Sequence, residues 1–249
     1  MVTARDPRPP LVRAGPAPLI PWMTDRPEPR SEFFKAGRTA RCLTLGPTDP
    51  GAVRELWIVL HGYAQLAEGI LAGLSAIDDG TRLLVAPEAL SRFYDARGER
   101  SRHAEAAVGA SWMTREDRLH EIEDHVAWLQ QAYEAQVARL PDAVPVTVLG
   151  FSQGAAAASR WIANGRARVA HLICWGASVA PELDLSGAGT LRRTRCSIVI
   201  GDRDQFVTAA HIATERARLD AAKFPYAFVG FPGGHRLDDA TLRHLAEGA

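Results

Sequence analysis

The residues of this chain best suited to covalent chemistry lie in Gly150-Phe151-Ser152-Gln153-Gly154. The β-branched apolar run Val146-Thr147-Val148-Leu149 leads into them, and Ala155-Ala156-Ala157-Ala158 follows. This spacing predicts a sharp strand-to-helix turn that presents a serine hydroxyl, because residues two positions either side of it must be nearly free of side chain. The helix that follows would aim its N-terminal amides and dipole at the serine. A serine hydroxyl is a poor nucleophile at neutral pH, so it needs a base, and the base needs an orienting carboxylate.

Four of the eight histidines follow the serine: His171, His211, His235 and His244. His211 and His244 fall within predicted helices and His171 opens a predicted strand. His235 ends Phe231-Pro232-Gly233-Gly234-His235, on a glycine-flanked loop after a strand, where an imidazole could take the serine proton near neutral pH. The carboxylate should come between serine and histidine in chain order. Gly201-Asp202-Arg203-Asp204-Gln205-Phe206-Val207, after another strand, offers two: Asp202, which could instead brace the turn, and Asp204, which reaches farther over the strand end. The residue types alone leave that choice open. A tetrahedral intermediate also needs amide donors. Gln153, directly after the serine, supplies one, and Tyr63 in Leu60-His61-Gly62-Tyr63 supplies the other, with His61 holding the loop.

Strands and helices must alternate to bring these loops together. Short apolar runs predict strands at 40–45, 56–60, 82–86, 144–150, 171–175, 196–200 and 226–230. Helices are predicted at 153–163, 208–222 and 238–246. A further helix follows Thr114 as N-cap, with Leu119, Ile122, Val126, Leu129, Tyr133 and Val137 as its core-facing stripe. The expected fold class is α/β, with a mostly parallel central sheet and helices on both faces, and the reactive loops at the carboxyl ends of the strands.

Residues 1–30 are rich in Pro and Arg and read as a disordered or extended segment, ahead of one catalytic domain at 31–249. Met23 opens Met-Thr-Asp-Arg and predicts an alternative translation start, which an intact mass from the native host would test. With 29 basic and 29 acidic residues the chain is formally neutral, which argues against nucleic acid or an anionic membrane as partner. No apolar run has the form of a signal peptide or a membrane span, so a cytoplasmic location is the expectation. Three cysteines, two of them in apolar strand-like runs and none at metal-ligand spacing, read as buried free thiols.

On Leu60-His61-Gly62-Tyr63, Gly150-Phe151-Ser152-Gln153-Gly154, the segment Gly201 to Val207 and Gly233-Gly234-His235, the chain resembles the phospholipase/carboxylesterase family of α/β-hydrolases, which includes the acyl-protein thioesterases. The resemblance runs from about Leu56 to the C-terminus. It implies an α/β-hydrolase fold, Asp204 as the orienting acid, and Tyr63 and Gln153 as oxyanion donors, while the short polar loop at 179–193 predicts no large cap. Thr208 stands where the family often has Pro. The stretches Ser91-Arg92-Phe93-Tyr94 and Gly109-Ala110-Ser111-Trp112-Met113 are similar to those of a bacterial esterase subgroup rather than the thioesterases.

The expected chemistry is hydrolysis of small-molecule carboxylic esters, or thioesters or lysophospholipids, through an acyl-enzyme on Ser152, His235 and Asp204, with no metal or organic cofactor. Phe93, Tyr94, Trp112 and Met113 are candidate substrate-binding residues, set against their anchoring of the 91–113 loop to the sheet. Two other readings use the same fold: a non-catalytic binding protein, and an acyltransferase with the same three residues.

Overall fold

The computed structural model of the chain describes residues 30–95, 106–142, 144–187 and 189–248. The chain divides into two compact units, residues 1–38 and 39–249. In the first, residues 30–38 are exposed and lack regular secondary structure. The rest of the expected tail lies outside the described residues, as does the middle of the 91–113 loop.

The second unit holds nine described strands: β1 (Cys42–Leu45), β2 (Glu55–Leu60), β3 (Arg82–Pro87), β4 (Ser91–Asp95), β5 (Ala107–Ser111), β6 (Val146–Phe151), β7 (His171–Trp175), β8 (Arg195–Gly201) and β9 (Ala227–Phe231). Its described α-helices are α1 (Ala67–Ala72), α2 (Arg118–Val137), α3 (Gln153–Asn164), α4 (Thr190–Arg193), α5 (Ala209–Ala221) and α6 (Asp239–Glu247). Seven strands form one sheet in the order β1-β3-β2-β6-β7-β8-β9. β1 pairs antiparallel with β3 and every other pairing is parallel. All seven strands expected from apolar runs are in this sheet, with ends shifted by at most two residues.

Side chains alternate across the sheet, so each strand supplies two cores. Ile58, Leu60, Val148 and Leu172 meet Leu129 and Tyr133 of α2 and Ala155, Ala158 and Trp161 of α3. Trp57, Val59, Leu149 and Ile173 meet Ile70 of α1 and Leu242 and Leu245 of α6. Cys174 and Cys196 are buried free thiols in the first of these cores.

Two expectations are corrected. Helix α2 begins at Arg118, not directly after Thr114, because the Thr114 hydroxyl is engaged locally, accepting from the Glu116 N–H at 3.2 Å and donating to Glu121 Oε2 at 3.1 Å. Leu119, in the first turn, is 69% exposed, and His125 takes an inward position instead. The sequence reading also missed β4 and β5, which pair as a separate antiparallel hairpin.

Candidate active site

Strand β6 lies mid-sheet beside β2, with Leu60 opposite Gly150, so the loops after these strands emerge side by side at their carboxyl ends. Ser152 sits between β6 and α3 with φ 54° and ψ −117°, a backbone conformation uncommon for any residue but glycine. Its N–H donates to the Trp175 carbonyl oxygen at 2.7 Å, and its own carbonyl accepts from Ala155 N–H at 3.0 Å, which holds the turn. The flanking glycines are required by close approach. A Cβ on Gly150 would lie 2.4 Å from the Gly154 carbonyl oxygen, and one on Gly154 would lie 2.4 Å from that of Leu60.

His235 stands on the loop after β9, its side chain 11% exposed. Its Nδ1 lies 2.7 Å from Asp204 Oδ2, and the other carboxylate oxygen of Asp204 accepts from the N–H groups of Phe206 and Val207 at 2.8 and 3.0 Å. With Nδ1 donating to the carboxylate, Nε2 is left as the proton acceptor. The imidazole packs between the rings of Phe151 and Phe206, at centroid distances of 4.9 and 4.8 Å. It also rests on Gly176, where a Cβ would lie 2.7 Å from the ring. Trp175, which binds Ser152 through its carbonyl, thus precedes the residue beneath His235, and the two groups converge on β7.

Asp202 meets a different partner. Its Oδ1 accepts from Gly233 N–H at 2.9 Å, while Arg203 N–H donates to the Gly233 carbonyl at 2.8 Å. These bonds lace the loop after β8 to the loop after β9, so Asp202 braces the turn and Asp204 meets the imidazole.

The turn after β2 flanks Ser152 on the other side, where a Cβ on Gly62 would lie 3.3 Å from Ser152 Cβ. His61 is fully buried behind it, with Nδ1 2.8 Å from the Gly62 carbonyl and Nε2 accepting from Ala89 N–H at 3.1 Å. Burial lowers its pKa from the ordinary imidazole value, so it stays neutral and structural. Gln153 is the first residue of α3, where a backbone N–H has no intrahelical partner. Its side chain donates to the Met113 carbonyl at 2.7 Å and accepts from Trp112 N–H at 3.0 Å, pinning the end of β5 against the elbow.

Trp112, Met113 and Phe93 are engaged with neighbouring protein. Trp112 is 3% exposed and donates its indole N–H to the His61 carbonyl at 2.8 Å. Met113 offers its carbonyl to Gln153. Phe93 stacks on Tyr63 at 5.2 Å, and Tyr94 is 57% exposed. None of the four lines the cavity of about 410 Å³ that opens beside Ser152. That cavity runs between α3, the loop after β7, β8 and α5, with walls that include Val179, Ile198, Val207 and Leu219. Sequence reasoning missed these residues. They come from four separate segments, and the signal available was the period-two alternation of Ile198 and Ile200 toward one face of β8.

No protein-family model and no curated protein matches the chain. Solved structures do match. Esterase PE8 is 19% identical with a TM-score of 0.63, over 85% of this chain and 98% of that one. Acyl-protein thioesterase 2 of Zea mays is 16% identical with a TM-score of 0.63, over 84% and 97%. A phospholipase/carboxylesterase from Dyadobacter fermentans is 16% identical with a TM-score of 0.60, over 86% and 97%. The chain has the α/β-hydrolase fold that these structures share. Among the described residues no helix is long and apolar enough to cross a membrane.

Proposed function

We propose that the chain is a serine hydrolase that cleaves small-molecule carboxylic esters, or the related thioesters, through an acyl-enzyme. The observation that carries this reading is the strained Ser152 at the head of α3, anchored to Trp175, with the next residue, Gly176, packed against an imidazole whose Nδ1 is 2.7 Å from a carboxylate. The esterases and thioesterases that share the fold agree with it.

In the proposed reaction Ser152 Oγ attacks the ester carbonyl carbon, and its proton passes to His235 Nε2. The N–H groups of Gln153 and Tyr63 stabilise the oxyanion of the tetrahedral intermediate. Collapse breaks the bond to the alcohol or thiol, which leaves with the proton from His235. Water then attacks the acyl-enzyme with His235 as base, freeing the acid and restoring Ser152. Asp204 keeps the imidazole in the tautomer that accepts at Nε2. The apolar cavity beside Ser152 receives the acyl chain. Every step uses groups of the chain itself and water.

The test is p-nitrophenyl butyrate hydrolysis by wild type and Ser152→Ala. Loss of the nucleophile should lower turnover by at least ~10³-fold. Undiminished activity in the variant would end this mechanism.

A further inference from the structure

The cavity beside Ser152 has a neighbour across β8 and β9. A second hollow of about 360 Å³ is lined by Gly201, Asp202, Gly230, Phe231 and Pro232. Ile200, Ile212 and Phe228 line both. These three side chains are therefore the partition between a chamber that reaches Ser152 and one that reaches the outer strand of the sheet. The strand register explains the arrangement. Ile198 pairs with Phe228 and Ile200 with Gly230, so the side chains of Ile198, Ile200 and Phe228 project toward α5 on the same face. Opposite Ile200 there is no side chain, and a Cβ on Gly230 would meet nothing within 4 Å. The second hollow is the space that a side chain at Gly230 would fill.

Phe228 is the largest of the three partition residues and belongs to the edge strand β9. The Arg216 guanidinium lies over its ring, 5.4 Å from the centroid, a cation–π contact that holds the ring in place. Arg218 fixes the other side of the chamber, donating to the Val179 carbonyl at 3.1 Å while paired with Glu215 at 2.8 Å.

We propose that Phe228, held by Arg216, is the residue that sets acyl chain length. It ends the chamber served by Ser152 and shuts off a ready-made extension beneath Gly230. This rests on the esterase reading above. Chains that fit the first chamber gain about fourfold in kcat/KM for each methylene buried, and the gain stops where the chain meets Phe228. Removal of the ring joins the chambers and moves that limit outward.

The experiment compares p-nitrophenyl butyrate, octanoate, laurate and palmitate on wild type, Phe228→Ala, the milder Phe228→Leu, and Phe228→Ala combined with Gly230→Leu. The readout is the ratio of kcat/KM for laurate to that for butyrate. Phe228→Ala should raise the ratio at least about tenfold, since two or more further methylenes become buried. Phe228→Leu should raise it less. Gly230→Leu in the alanine background should return it toward the wild-type value, because it refills the second hollow without touching Ser152 or His235. An unchanged ratio in whichever Phe228 variant folds would overturn the proposal. A wild type that hydrolyses butyrate while the variants keep its ratio refutes this inference alone. A wild type that turns over no ester and reacts with no fluorophosphonate refutes the esterase reading and this inference with it.

Discussion

The indole N–H of Trp175 donates to the carbonyl oxygen of Arg236 at 2.8 Å, tying the end of β7 to the loop that carries His235. Trp175 is buried, and its own carbonyl accepts the N–H of Ser152. One residue therefore fixes both the serine turn and the histidine loop, from opposite ends of its structure. This lets the position of the imidazole be tested without touching it.

Trp175→Phe keeps the ring in the core and removes only the bond to Arg236. A neutral hydrogen bond contributes about 1 kcal/mol, so kcat should fall about fivefold while KM holds. Steady-state kinetics on butyrate ester, with a melting curve to show that the variant folds, makes the check. Full activity in a folded variant would mean that Trp175 does not position His235.

The two aspartates predict opposite outcomes. Asp204→Asn keeps the acceptor for Phe206 and Val207 but weakens the hold on the imidazole tautomer, so kcat should fall by ~10³- to 10⁴-fold. Asp202→Asn can still accept from Gly233, and its side chain is 62% exposed, so activity should stay within about twofold of wild type. Equal losses in the two variants would contradict the separate roles assigned to them.

Gly154→Ala tests the elbow as architecture. The new methyl would lie 2.4 Å from the Leu60 carbonyl oxygen and 2.7 Å from that of His61, both backbone atoms that cannot swing aside. A loss of about 3 kcal/mol or more is expected in urea unfolding, with activity lost as well. A variant as stable as wild type would show that the packing of α3 against β2 is looser than these distances.

Stability should fall in acid through buried histidines. Burial pushes His125 and His171 down to about 4, with Arg160 and Arg195 respectively adding to the effect, and lowers His61 as well. Between about pH 6.5 and 4 the unfolded chain binds protons that the folded His125 and His171 refuse. Stability therefore drops as pH falls through that window, by about 1.4 kcal/mol per pH unit for each histidine. A carboxylate window lies lower. Burial opposes the charge on Glu182, but Arg160 and Arg118 outweigh it and hold this carboxyl at about 2, so its contribution is lost only below the ordinary glutamate range. Denaturant melts of wild type and His125→Gln at several pH values give the slopes. The variant should have the shallower slope from pH 6.5 to 4, and identical slopes would refute the assignment.

Much of the scaffold could be read in advance because parallel strands covered on both faces need continuous apolar runs. Ile58, Val148, Leu172 and Val199 sit in such runs, and each is fully buried. The hairpin of β4 and β5 escaped notice because neither strand is apolar throughout. Phe93 and Tyr94 are flanked by Ser91, Arg92 and Asp95, and Ala107 and Val108 are exposed. The Gly-x-Ser-x-Gly segment was legible because two backbone collisions leave only glycine at its flanks. The cavity was not, since Val179, Ile198, Val207 and Leu219 come from four separate segments and meet only in the folded chain. Trp112 carries the same lesson in reverse, as an aromatic near the site whose indole is used to hold the His61 turn.

The most direct measurement is the mass of the protein after treatment with a fluorophosphonate, followed by peptide mapping of the adduct. The account predicts one phosphonyl group per chain, located on Ser152, with none on Ser152→Ala and strongly slowed labelling in His235→Ala. No adduct on the wild type, or an adduct on any other residue, would contradict it.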